Sequence, residues 1–167
     1  MEALFKTNRL PSNLVVMTIA DTTPTAAEAV RHFAAKLQFE TDPSDVKAAL
    51  DAGERFVLVD SRGEAAWLQG RLPGALHLPT ADIATRATAL IPHGTPVVVY
   101  CWGPGCNGSS RASLEFSLLG YPVKEMIGGF EYWAREGLGI VDDGGVIDRT
   151  IDELTAPIGP GIIDCAC

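Results

Sequence analysis

The strongest constraint in this 167-residue chain is the run Pro96-Val97-Val98-Val99-Tyr100-Cys101, followed at once by Trp102-Gly103-Pro104-Gly105-Cys106-Asn107-Gly108 and a helical segment. A run of β-formers without polar alternation suits a strand buried on both faces, the condition of strands in a parallel sheet. A second such run, Phe56-Val57-Leu58-Val59, ends at Asp60. Further strands are expected at residues 37–41, 75–78 and 123–127. Helical periodicity falls between them: residues 26–36, a segment after Asp42-Pro43-Ser44, and residues 64–69, 82–90, 109–119 and 130–135. Thr25 and Glu28 form a capping motif for the first helix. The alternation predicts a three-layer α/β fold, with a central, mostly parallel five-stranded sheet and helices on both faces. Residues 1–25 read as an N-terminal extension, 26–140 as the domain and 141–167 as a Gly- and Pro-rich tail.

Composition narrows the function. The formal net charge is −8 and the pI about 4.8, so the surface lacks the basic footprint that nucleic acid or an anionic membrane requires. No stretch reaches the ~20 apolar residues of a membrane span. Residues 14–20 follow Lys6 and Arg9 but are short for a signal peptide, and Thr18 interrupts them; they read as a short strand. The four cysteines form two close pairs, Cys101/Cys106 and Cys165/Cys167. That grouping is unlike a secreted disulfide scaffold and fits reduced, working thiols in the cytoplasm. Neither spacing is the usual zinc knuckle, so no metal and no cofactor is expected.

The chemistry is expected where the strand at residues 97–100 ends, because open α/β sheets bind ligands outside the carboxyl ends of their strands. Gly103, Gly105 and Gly108 permit the backbone to turn inward and aim N–H groups at one spot, and the next helix points its N-terminus there. Asn107, Ser109 and Ser110 sit at that helix start, and Arg111 adds a full positive charge. A cysteine facing such a cradle is expected to favour the thiolate, and the cradle would hold an anion brought to the sulfur.

Four segments together resemble a known family. Val97-Val98-Val99-Tyr100-Cys101 with its glycine loop and Arg111, Asp60-Ser61-Arg62, Gly70-Arg71-Leu72-Pro73-Gly74-Ala75-Leu76-His77-Leu78-Pro79, and Ile127-Gly128-Gly129-Phe130-Glu131-Tyr132-Trp133 resemble, in order, the motifs of rhodanese-like domains. The resemblance covers residues 40–137. It implies a sulfurtransferase in which a cysteine takes sulfane sulfur from a small anionic donor such as thiosulfate, becomes a persulfide, and passes sulfur to a thiol or cyanide acceptor. It also implies that Asp60 and Arg62 tie active-site loops together and that Trp133 packs in the core.

The loop departs from the family's Cys-x4-Arg form. Strand register favours Cys101 as nucleophile; spacing to Arg111 favours Cys106; a third reading has one cysteine carry the sulfur and the other resolve it. Trp102 is either a lid or an aromatic packed on the loop. His77 lies in an apolar strand and reads as a packed histidine, while His32 and His93 read as solvated. Cys165 and Cys167 form either two exposed thiols or a redox arm that reaches the loop. Phosphatase or arsenate-reductase chemistry, and a non-catalytic binding module, are the competing functions. A homodimer is left open.

Overall fold

The two valine-rich runs become the middle of one parallel sheet. The computed structural model describes residues 23–147 and 150–152, and these described residues fall into two units that divide after Ala34. The elements are α1 (Ala26–Phe39), β1 (Glu40–Thr41), α2 (Pro43–Asp51), β2 (Val57–Asp60), α3 (Glu64–Gln69), β3 (Leu76–His77), a 3-10 turn (Thr80–Asp82), α4 (Ile83–Leu90), β4 (Val97–Tyr100), α5 (Gly108–Leu118), β5 (Val123–Met126), α6 (Gly129–Arg135), β6 (Ile140–Asp142) and β7 (Gly145–Ile147). The sheet order is β1-β5-β4-β2-β3 and every pairing is parallel. The expected five-stranded α/β architecture is therefore present.

All four residues of β4 are buried. Val97 and Val99 pack with Val59, Ile83 and Phe116 on one face, and Val98 and Tyr100 pack with Val46, Met126 and Trp133 on the other. Two-sided burial removes the polar alternation of a half-exposed strand, which is why the sequence shows an unbroken apolar run.

Three details differ from the sequence expectation. Strand residues were expected from Leu37, but α1 continues to Phe39 and β1 holds only Glu40 and Thr41. Leu37 and Gln38 are good helix formers with no breaker before them, and Lys36 pairs with Glu40 at 2.8 Å one turn on. The segment after residue 140 was expected to be irregular, yet β6 and β7 form an antiparallel hairpin. Asp142-Asp143-Gly144-Gly145 supplies its turn, Ile140 is buried, and Arg71 bridges to Val141. The 3-10 turn Thr80–Asp82 takes up the start of the segment expected as one helix from residue 82. The short strand expected at residues 14–20 and the Cys165/Cys167 pair lie outside the described residues. Among the described residues no helix is long and apolar enough to cross a membrane.

One ion pair stitches the carboxyl edge of the sheet together. Asp60 closes β2, and Arg62 stands two residues later; both side chains are fully buried. Arg62 Nε donates to Asp60 Oδ1 at 2.9 Å and Nη2 to Asp60 Oδ2 at 2.6 Å. The same Nη2 donates to the Gly70 carbonyl at 2.7 Å, beyond the end of α3. Tyr100, the last residue of β4, donates its hydroxyl to Asp60 Oδ2 at 2.6 Å and accepts the Leu72 N–H at 3.2 Å. Burial, and then the Asp60 charge, push the Tyr100 phenol up, which keeps it a donor. Removing one member of a buried pair leaves the other as an uncompensated charge, at a cost of about 3–5 kcal/mol. Arg62→Met and Asp60→Asn are each expected to lower unfolding stability in urea by about that amount, while the double variant recovers at least half of the summed loss. Strictly additive losses would mean that the pair is not energetically coupled.

Candidate active site

Cys101 stands directly beyond β4, above the carboxyl edge of the sheet, and residues 101–107 form the loop into α5. The loop backbone is clamped from the opposite side. The Phe130 N–H donates to the Cys101 carbonyl at 2.9 Å, and the Glu131 N–H to the Trp102 carbonyl at 2.7 Å. These are first-turn amides of α6, groups with no partner inside their own helix. Gly129 makes the approach possible: its φ is +58°, and a Cβ there would stand 2.6 Å from the Cys101 carbonyl oxygen. The Gly128-Gly129 pair thus delivers a helix N-terminus to the loop carbonyls.

Inside the loop, the Cys106 N–H donates to the Gly103 carbonyl at 3.0 Å. That turn closes the excursion through Pro104 and Gly105 and returns the second cysteine to the first. The two sulfurs lie 3.1 Å apart, and both cysteines are free. Strand register and spacing to Arg111 thus converge on one spot. Gly108 is required there by close approach rather than by backbone dihedral: a Cβ would meet Cys101 Sγ at 2.5 Å and Cys106 Sγ at 3.3 Å.

The two thiols differ sharply in environment. Cys101 is 6% exposed. Burial, and then the neighbouring Cys106, push its thiol up to about 11. Cys106 is half-buried and is held below the ordinary thiol value, chiefly by the hydrogen bond from Cys101 and then by the Gly108 N–H, 3.4 Å from its sulfur. The Trp102 N–H favours the ionised form of both sulfurs, and the Arg111 charge adds a smaller contribution at Cys106. Proximity to the α5 N-terminus acts in the same direction. Cys106 is therefore the sulfur that ionises first, and Cys101 the one that keeps its proton longer.

Cys106 opens on a cavity of about 450 Å³. Pro43, Pro104, Met126 and Tyr132 supply apolar surface, and Asp42, Glu125 and Glu136 supply carboxylates. Burial, and then the Asp42 charge, push the Glu136 carboxyl up, against the opposing hydrogen bond from Ser44 at 3.3 Å. The sequence reading missed these acids, because they come from the cap of α2, from β5 and from the residue after α6; Asp42 was visible there only as a helix start.

The remaining candidates take diverse positions. Ser109 Oγ donates to Glu125 Oε1 at 2.7 Å, and Ser110 Oγ to the same oxygen at 2.9 Å. Both hydroxyls are thus engaged with a carboxylate rather than free for an incoming anion. Asn107 precedes α5, with its carbonyl accepting the Arg111 N–H at 3.1 Å and no side-chain cap; Arg111 itself is exposed. Gly103 passes so close to the Glu131 side chain that a Cβ would collide with it, whereas Gly105 faces open space. Trp102 is 41% exposed and stands edge-on to Phe130 at 5.8 Å. The Arg62 guanidinium lies 4.6 Å from the Trp102 ring and 4.2 Å from Phe130, so the Asp60–Arg62 pair reaches the loop through cation–π contact. Trp102 does not line the Cys106 cavity. His77 stacks on Trp67 at 4.7 Å, with Nε2 3.0 Å from the Arg62 carbonyl. His93 is exposed and stacks on Tyr121 at 5.4 Å. Trp133 is 1% exposed and donates Nε1–H to the Gly139 carbonyl at 2.9 Å.

Comparison with known proteins agrees with this architecture. The sequence profile of the rhodanese-like domain family matches residues 42–136. A protein of Allochromatium vinosum named sulfurtransferase is 36% identical over 102 residues, which is 61% of this chain and 94% of that protein. The crystal structure of the BH2092 protein from Bacillus halodurans superposes with a TM-score of 0.67 at 36% identity, covering 72% of this chain and 89% of that one. A thiosulfate sulfurtransferase from Pseudomonas aeruginosa superposes with a TM-score of 0.54 at 26% identity over 73% of this chain, but only 22% of that longer chain is covered. With the family profile spanning more than half of its length, the chain belongs to the rhodanese-like domain family.

Proposed function

We propose that this protein is a sulfurtransferase whose Cys106 thiolate takes up sulfane sulfur as a persulfide. The observation that carries this reading is the pairing of a cavity-facing sulfur with three groups that favour its anion: the Cys101 thiol, the Gly108 N–H and the start of α5. In the uptake step the Cys106 sulfur attacks the outer sulfur of the donor. With thiosulfate, one S–S bond forms, one breaks, and sulfite leaves with the bonding electrons. The terminal sulfur of the persulfide then passes to a thiol or cyanide acceptor, and thiolate returns. Two neighbouring loop cysteines that work as free thiols fit a reducing compartment such as the cytoplasm.

The cavity wall sets the donor preference. Asp42, Glu125 and Glu136 oppose a dianion approaching Cys106. An organic persulfide or trisulfide of low charge is therefore the better donor, and thiosulfate the poorer. The same wall disfavours phosphate and arsenate, the oxyanions of the competing reading.

Two measurements follow. After incubation with excess thiosulfate, sulfite is expected to be released by the wild type and not by Cys106→Ser; release that persists in Cys106→Ser and is lost in Cys101→Ser would assign the attack to Cys101. In steady-state assays, Asp42→Asn with Glu136→Gln is expected to lower KM for thiosulfate about fivefold at low salt and to leave KM for an uncharged organic trisulfide within about twofold. An equal change for both donors would remove the electrostatic argument.

A further inference from the structure

We propose that Cys101 is a resolving thiol, which gives the protein a second activity: reductive release of sulfane sulfur as hydrosulfide. The proposal rests on the sulfurtransferase reading above, because it begins from the Cys106 persulfide. Its physical basis is the 3.1 Å separation of the two sulfurs and their unequal access. Cys106 opens on the cavity, so an added sulfur atom extends outward from it. Cys101 is packed against Gly108 and against Cys106 itself. It has no comparable room to be loaded from outside, yet it already touches the inner sulfur of any persulfide formed on Cys106.

A plain sulfur carrier has no need of the second thiol. A glycine amide and a helix end already favour the Cys106 anion, and a hydroxyl in place of Cys101 would donate the same hydrogen bond. What a sulfur at this position adds is the ability to attack. The Cys101 sulfur displaces the terminal sulfur from Cys106: the Cys101–Cys106 S–S bond forms and the inner-to-terminal S–S bond breaks. The Cys101 thiol proton leaves with the terminal sulfur as hydrosulfide. The sulfane sulfur is reduced and the two cysteines are oxidised, so no further oxidant enters. A dithiol reductant, or two monothiols, then returns the loop disulfide to the thiol–thiolate pair by ordinary exchange. Burial holds the Cys101 proton until that transfer, so ready acceptors compete with resolution and the persulfide is reduced when none is at hand.

The test uses the full chain, fully reduced and freed of small thiols, then exposed to excess thiosulfate. Sulfite, hydrosulfide and the mass of the tryptic peptide between Arg86 and Arg111, which contains both loop cysteines and neither tail cysteine, are followed together. Wild type is expected to release hydrosulfide in step with sulfite, and its peptide to lose two hydrogens rather than gain a sulfur atom. Cys101→Ser keeps the hydrogen bond but removes the attacking sulfur; its peptide is expected to hold the added sulfur, and hydrosulfide to fall about tenfold or more. Dithiothreitol added to the wild-type product should restore a second round. Sulfite release with a stable added sulfur on the wild-type peptide and no hydrosulfide would overturn the resolving role and leave the sulfurtransferase reading intact. No sulfite release from wild type would overturn that reading, and the resolving role with it.

Discussion

The loop chemistry depends on a buried ion pair. Asp60 and Arg62 lie at the carboxyl edge of the sheet, shielded from solvent, and the side-chain bonds they make outside the pair reach two other segments. Asp60 accepts from Tyr100 at the end of β4; Arg62 donates to Gly70 after α3 and lies beneath Trp102 and Phe130. A charge pair in this position is expensive to bury; bonds to Asp60 and Gly70 use Nε and Nη2 of Arg62, while Nη1 has no hydrogen-bond partner and the guanidinium lies against aromatic rings instead. The return is geometric. The end of β4, the first turn of the loop and the start of α6 are held in register, and two sulfurs from positions five residues apart meet within contact distance.

Within that frame the site separates two chemically identical side chains. Burial raises one thiol and makes it hold its proton; a hydrogen bond, an amide and a helix end lower the other and make it the first to ionise. The difference comes from a few ångströms of depth along one loop. In the proposed reaction the acidic wall of the neighbouring cavity would add selectivity, since Asp42, Glu125 and Glu136 penalise negative charge on whatever approaches Cys106. In the proposed reaction, activation of the sulfur and discrimination among its donors would come from different elements: β4 and α5 for the first, α2, β5 and the segment after α6 for the second.

Much of this was legible in the sequence, for identifiable reasons. Two-sided burial of β2 and β4 writes itself as unbroken apolar runs, and Asp60 and Arg62 stand where such a run stops. Trp133 and the Gly128-Gly129 pair were visible as a motif, although the physical use of the glycines, bringing α6 amides to the loop, joins residues far apart in the chain and leaves no local signal. The role of Gly108 was legible only as flexibility, whereas the structure shows it as room for two sulfurs. Long-range pairings were beyond reach. Nothing near Ser109 and Ser110 signals that Glu125 accepts from both hydroxyls, and nothing near Cys106 signals carboxylates from three distant elements. The β6–β7 hairpin was hidden because its short strands sit in a stretch rich in glycine.

The central claim is that the two loop thiols are inequivalent, Cys106 ionising well before Cys101. It is tested most directly by the rate at which each cysteine is alkylated by iodoacetamide as pH is raised, read peptide by peptide. Cys106 is expected to react with a midpoint below that of an ordinary cysteine, and Cys101 to resist until the pH approaches about 11. Equal rates and a shared ordinary midpoint for both, or earlier alkylation of Cys101, would contradict the account.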